Sequence, residues 1–191
     1  MNSISAVILA AGKSARMGQQ KLLMPWGDTT VLGRVITVLR DSQIADIVLV
    51  TNSKTAADIS PDNLQIILNN DGEMLTSLQL GLRAVKPSAQ AALICLGDQP
   101  QIEEGSVRSI SAAYLKNQSS LVVPSYQMRR GHPWLAARTM WDEILSLEPG
   151  SSMRSFLNAH AGEIEYVNLD TATVLQDLDT PEDYLKYKPS L

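Results

Sequence analysis

A single cysteine, Cys95, stands among the 191 residues. No internal disulfide can form, which fits a reducing cytoplasm as the protein's location. Apolar runs long enough to cross a bilayer are missing, and Met1-Asn2-Ser3 lacks the basic stretch that opens a secretory signal. A cytoplasmic protein with no membrane association is therefore expected. Positive charge is not in surplus either, because 16 Lys and Arg face 20 Asp and Glu for a formal net charge of −4. That excludes the broad basic field of a nucleic-acid-binding surface, so any bound phosphate has to be met by local cations. Internal repeats, low-complexity tracts and linkers are absent, and the length suits one core, so residues 1–191 are expected to form a single domain. Two familiar phosphate-binding fingerprints are missing as well. Gly12-Lys13-Ser14 has the tail of G-x-x-x-x-G-K-[ST], but its first glycine would fall on Val7, and G-x-G-x-x-G does not occur.

What is present is a regular alternation. Ser5–Ala10, Ile47–Val50, Leu64–Leu68, Ala91–Leu96 and Leu121–Pro124 are short apolar runs of the kind that form buried strands. Between them, Val31, Val35, Ile36, Val38 and Leu39 recur at helical spacing, as do Leu75, Leu78, Leu82 and Val85, and then Val107, Ile110, Tyr114 and Leu115. Strand and helix in turn predict an α/β fold, a mostly parallel sheet with helices on both faces. The last third breaks the alternation, with Pro133–Ala137 and Ile164–Leu169 expected as strands and Arg138–Leu147 and Ser152–His160 as short helices. These pieces are expected to add a mixed, partly antiparallel edge that covers the cleft.

The first strand breaks at once into Ala10-Ala11-Gly12-Lys13-Ser14-Ala15-Arg16-Met17-Gly18-Gln19-Gln20-Lys21. Gly12 and Gly18 allow the backbone to bend and bring amide N–H groups to phosphate oxygens. Arg16 adds a fork that clamps two oxygens and Lys21 a mobile point charge, a pairing that suits a polyphosphate. In open α/β sheets ligands gather beyond the carboxyl ends of the strands. There Asp98 follows the run Ala91–Leu96 and Gly97, where a carboxylate can hold Mg²⁺ together with phosphates, or simply cap a turn before Pro100. Near the carboxyl terminus, Asp177 and Asp179 share one face of an extended segment while Leu178 turns to the core. Either acid can complete a metal site, with Asp179 preferred over Asp177. Thr180 and Pro181 read as an ordinary helix start.

Leu9 to Gly12, Ser14, Arg16 to Gly18 and Lys21 together resemble the signature L-A-A-G-x-S-x-R-M-G-x-x-K of the MobA-like nucleotidyltransferases that act on molybdopterin, above all their cytidylyltransferase branch. Gly97-Asp98-Gln99-Pro100, Gly131-His132-Pro133 and Asp177–Asp183 match further motifs of that family. The resemblance implies a Rossmann-like nucleotidyltransferase fold and a loop that wraps the incoming nucleotide through Leu9, Ala10, Ala11, Gly12, Ser14, Arg16, Gly18 and Lys21. It also implies base reading near Asn70 and Ser77. Arg16, Lys21 and Asp98 would be the catalytic residues, and Asp98, Asp179 and Asp177 the candidate Mg²⁺ ligands. Arg130, Gly131, His132 and Arg154 would face the acceptor. CTP rather than GTP is the implied nucleotide, a molybdopterin-type molecule the acceptor, and a molybdoenzyme the recipient of the product. The chain departs from the pattern at Glu73, where the family has glycine, and at Ser151-Ser152.

Overall fold

The structure, a computed structural model, describes residues 3–12, 20–60 and 63–189. In chain order the strands are β1 (Ser3–Ala10), β2 (Pro25–Trp26), β3 (Thr29–Thr30), β4 (Ile47–Thr51), β5 (Gln65–Leu68), β6 (Ala89–Leu96), β7 (Leu121–Tyr126), β8 (Arg129–Arg130), β9 (Trp134–Ala137) and β10 (Ile164–Asn168). The helices are α1 (Val31–Asp41), α2 (Ser53–Ala56), α3 (Met74–Ala84), α4 (Glu104–Asn117), α5 (Trp141–Ser146), α6 (Met153–Ala159) and α7 (Pro181–Tyr187). The main sheet runs β10-β7-β9-β6-β1-β4-β5, with β8 paired to β7, while β2 and β3 form a small hairpin of their own.

The alternation seen in the sequence has the expected outcome: β1, β4, β5 and β6 are mutually parallel, as are β7 and β10. The mixed part of the sheet lies toward the β10 end. Its antiparallel member, β9, sits between β6 and β7 and pairs with both, so it is third from the edge and fully buried. The predicted helix over 138–147 is a 3₁₀ turn, Arg138–Met140, leading into α5, and the one over 152–160 is α6 with Ser152 as N-cap. The two-residue strands β2, β3 and β8 and the single turn α2 carry no periodicity long enough to be read in advance.

Parallel strands covered on both sides have to be apolar on both faces, and β1 meets that demand. Ala6, Ile8 and Ala10 pack into the layer beneath α1 and α4, while Val7 packs into the opposite layer with Leu78 and Leu82 of α3. Helix α1 offers Val31, Leu32, Val35, Ile36, Val38 and Leu39 to the first layer and begins at Thr30, whose hydroxyl accepts from Gly33 N at 3.0 Å. Because β1, β4, β5 and β6 run the same way, their carboxyl ends and the loops after them open on one side of the sheet.

The carboxyl-terminal segment is stitched across that side. Leu178 is fully buried in the first layer, with Asp177 and Asp179 on either side of it, and its N–H donates to Asp98 O at 3.1 Å. Helix α7 then starts at Thr180 with a complete capping box and Pro181 in its first turn. It returns to the β2–β3 hairpin, where the Tyr184 ring lies tilted 6.2 Å from that of Trp26 and its hydroxyl donates to Pro25 O at 2.6 Å. Both ends of the chain thus share one support. Among the described residues no helix is long and apolar enough to cross a membrane.

Candidate active site

The ends of β1 and β6 approach closely because Gly97 has no side chain. Its N–H donates to Leu9 O at 3.0 Å, and a Cβ there would lie 3.0 Å from Ala10 Cβ and 3.3 Å from Leu9 O. Asp98 is the next residue. The 3₁₀ turn Lys21–Leu23, anchored by buried Leu22, points the Lys21 ammonium at it. Lys21 Nζ donates to Asp98 Oδ2 at 2.6 Å and to Leu178 O at 2.8 Å, and it stands 3.6 Å from Asp179 Oδ1. Lys21 and Asp179, from opposite ends of the chain, thus meet around Asp98.

Asp177 faces the same cluster from the other flank. Gln99 donates its amide to Asp177 Oδ1 at 3.4 Å, and burial, reinforced by the Asp98 charge and then by Asp179, raises the Asp177 pKa above the usual carboxylate range. Asp98, Asp177 and Asp179 bring three carboxylates to the cluster around Lys21, oxygen donors of the kind a divalent cation takes. Gln99 is 2% exposed and keeps its Oε1 buried without a partner among the described residues, an oxygen still lacking a donor or cation. No group of three His, Cys, Asp or Glu side chains among the described residues forms a ready cage for a metal. Oxygen donors of this kind fit Mg²⁺, which binds through one or two carboxylates and completes its shell with phosphates and water.

The other expected site residues are placed as follows. Leu9 and Ala10 end β1 and Ala11 follows it, all partly to fully buried, and Gly12 emerges exposed; a Cβ on Gly12 would meet nothing within 4 Å, so glycine leaves room there rather than making a left-handed turn. Lys13, Ser14, Arg16 and Gly18 lie outside the described residues. Asn70 turns its Oδ1 to Ser53, accepting from its N at 2.9 Å and its Oγ at 3.0 Å. Ser77 is 2% exposed and spends its hydroxyl within the protein, accepting from Asn69 Nδ2 at 2.8 Å and donating to Glu73 O at 2.9 Å. Sequence reasoning passed over Asn69, the buried residue that ties the β5 end to α3. Only its position directly after the strand could have pointed to it.

Arg130, Gly131, His132 and Arg154 do come together, on the wall of a cavity of about 1280 Å³ between the β7–β9 connection, the start of α3, α6 and β10. Arg129 lines it as well, so three arginines face one carboxylate, Glu73, in a chain whose overall charge is negative. Met128, Asn158, Tyr166 and Asn168 complete much of the rim, and no local motif announces them. His132 adjoins both regions: it lines the cavity, and the Asp98 charge reaches its ring. Burial nevertheless dominates and pushes the His132 pKa down to about 4, so the imidazole is neutral near pH 7.

The two histidines of the chain act in opposite directions with pH. For His132, the unfolded chain takes up a proton near pH 6.5 that the folded protein refuses until about pH 4. Stability relative to a His132→Gln variant is therefore expected to fall as pH drops from 6.5 to 4, by roughly 3 kcal/mol at most. Urea melts of the two proteins at pH 7 and pH 4.5 check this, and equal differences at both pH values would contradict it. His160, bonded to Glu163 and Glu143 at 2.8 Å each, has its pKa raised, first by Glu163 and then by Glu143. Its contribution is complete below pH 6.5 and is lost as pH rises through the raised value.

Comparison with known proteins places this chain among the nucleotidyltransferases, as an enzyme of that class. It is a member of the family defined by the MobA-like NTP transferase domain, whose model matches residues 6–164. It is 29% identical to the molybdenum cofactor cytidylyltransferase of Escherichia coli (strain K12), over 98% of this chain and 97% of that one. The crystal structure of Rv0371c from Mycobacterium tuberculosis H37Rv superposes with a TM-score of 0.88 at 27% identity, covering all of both chains. A manganese complex of the same protein gives 0.84 at 26% identity, again over both chains in full.

Proposed function

We propose that the protein transfers a nucleoside monophosphate, CMP from CTP, to the phosphate of a molybdopterin-type acceptor, with pyrophosphate as the other product. An acceptor phosphate oxygen attacks the α-phosphorus in line as the bond to pyrophosphate breaks. That oxygen is already anionic, so the reaction needs no general base; positioning and neutralisation of charge carry the rate. Lys21, with Arg16, would steady the leaving pyrophosphate. Asp98 with Asp179 or Asp177 would hold Mg²⁺, and the metal when bound supplies Lewis-acid stabilisation of the charge that develops on the phosphate oxygens. Neutral His132 and the cationic wall formed by Arg130 and Arg154 would orient the acceptor.

One observation carries the most weight: His132, on the wall of the arginine-lined cavity, donates its backbone N–H to Val174 O at 2.9 Å, in the segment that runs on to Leu178, whose N–H reaches Asp98 O at 3.1 Å. An anionic acceptor and a metal-bound nucleotide would then meet at adjoining sites. Likeness to the E. coli cytidylyltransferase supports the choice of base and acceptor. The test is to incubate the protein and Mg²⁺ with each of the four triphosphates and with molybdopterin-type or sugar-phosphate acceptors, measuring pyrophosphate release. Release is expected with CTP and the molybdopterin-type acceptor. Release only with a sugar phosphate would transfer the chemistry to another substrate, and ligand binding without release under any pairing would make the protein a carrier.

A further inference from the structure

Arg130 is a highly constrained cation of the cavity wall, and among the described residues its partners are neutral. Its Nε donates to the Tyr166 hydroxyl at 2.9 Å, its Nη2 to the same oxygen at 2.7 Å, and its Nη1 to Asn158 Oδ1 at 2.7 Å. The guanidinium carbon also lies 5.7 Å from the centre of the Tyr166 ring. A guanidinium has five N–H donors. The three bonds leave two N–H groups, one on each terminal nitrogen. Arg130 forms no ion pair with the described residues.

This arrangement differs from a structural tie. A buried or half-buried arginine that serves only to join elements gains most from a carboxylate, yet the chain places an amide and a phenol there. Neutral acceptors fix the plane of the guanidinium and leave its full positive charge for something else. Tyr166 lies on β10 and Asn158 on α6, so two separate elements set the orientation.

We infer that Tyr166 and Asn158 are positioning residues that hold Arg130 as a seat for a phosphate monoester, the phosphate of the acceptor in the transfer proposed above. A dianionic phosphate can accept from the two N–H donors that remain, one on each terminal nitrogen. The pair acts through Arg130 and sets acceptor affinity, with no part in nucleotide binding.

The decisive variant is Asn158→Asp. A carboxylate at this position would strengthen a purely structural tie to Arg130 and leave acceptor binding unchanged. At a phosphate seat it neutralises the charge the ligand needs. Asn158→Asp is expected to raise the KM for the acceptor about 30-fold or more, and Tyr166→Phe about 10-fold, consistent with hydrogen bonds to charged groups. In both variants the KM for CTP should stay within about 3-fold of the wild type. Calorimetric titration with inorganic phosphate alone, on wild type, Asn158→Asp and Arg130→Gln, tests the seat without turnover. Affinity lowered about 10-fold or more in both variants supports it, even if no pairing of triphosphate and acceptor releases pyrophosphate. Unchanged phosphate affinity and unchanged acceptor KM in Asn158→Asp overturn it, even if transfer itself is confirmed.

Discussion

Asp98→Asn is expected to lower turnover by at least about 100-fold, the scale for losing one group that stabilises developing charge, while the protein melts close to the wild type. The two effects separate because of what surrounds the carboxylate. The asparagine oxygen can still accept from Lys21, which also keeps Leu178 O at 2.8 Å and Asp179 at 3.6 Å. Lost attraction is offset by relief of repulsion, since the Asp98 charge is one of the causes that hold the Asp177 pKa up. A net stability change within about 1 kcal/mol follows from opposing terms of this size. NMR titration supplies a readout independent of turnover: without the charge at position 98, the Asp177 pKa should move down and the His132 pKa should move further below its ordinary value. Asp98→Asn at full rate would remove Asp98 from the catalytic group, and a large loss of stability would mean that its main task is to pair with Lys21.

The acids of this site were legible in the sequence because local rules place them. Asp98 comes directly after an apolar run, and the alternation Asp177-Leu178-Asp179 requires one buried residue between two outward ones; Leu178 is indeed fully buried. The helix start at Thr180 and Pro181 follows from capping chemistry that acts over three residues, and the structure has it intact. Other features could not be read because they depend on contacts between distant segments. That Lys21 sits against Asp98, 77 residues away, is a consequence of the turn at Leu22 and of how β1 and β6 pack. Tyr166 and Asn158 carry no motif, and they reach Arg130 only because β10 pairs with β7 and α6 lies beside it. Ser77, expected from the resemblance alone, is carried inward by the turn of α3, onto Asn69. The character of the arginine-lined cavity depends on Arg154 of α6 meeting the contiguous Met128-Arg129-Arg130, and no single window of the sequence contains both.

Gly131→Ala is expected to be the most damaging single-methyl change in the site. A Cβ on Gly131 would stand 2.4 Å from Val174 O and 2.9 Å from the Val174 Cβ and Cγ2. These atoms have little freedom, because Val174 is fully buried, β-branched and held within the 3₁₀ turn Ala172–Leu175, and its carbonyl accepts from His132 N at 2.9 Å. The turn or the β8–β9 connection has to move. Overpacking of about 1–3 kcal/mol and the weakening of a backbone hydrogen bond worth about 1 kcal/mol add to a loss of roughly 2–4 kcal/mol, or a fall in Tm of roughly 5–15 °C for a chain of this size. Function is expected to suffer on two sides, since Gly131 and His132 line the arginine-lined cavity and the displaced turn leads within a few residues to Asp177 and Asp179. Gly12→Ala is the informative contrast. Its Cβ meets nothing within 4 Å, so its Tm should stay within about 2 °C of the wild type, whereas nucleotide affinity should fall if phosphates approach the backbone there. Calorimetric melts of both variants, followed by CTP titration below the melting range, separate a glycine required by the protein's own packing from one required by its ligand. Equal melting of Gly131→Ala and wild type would show that the carboxyl-terminal segment yields freely and does not fix the acids.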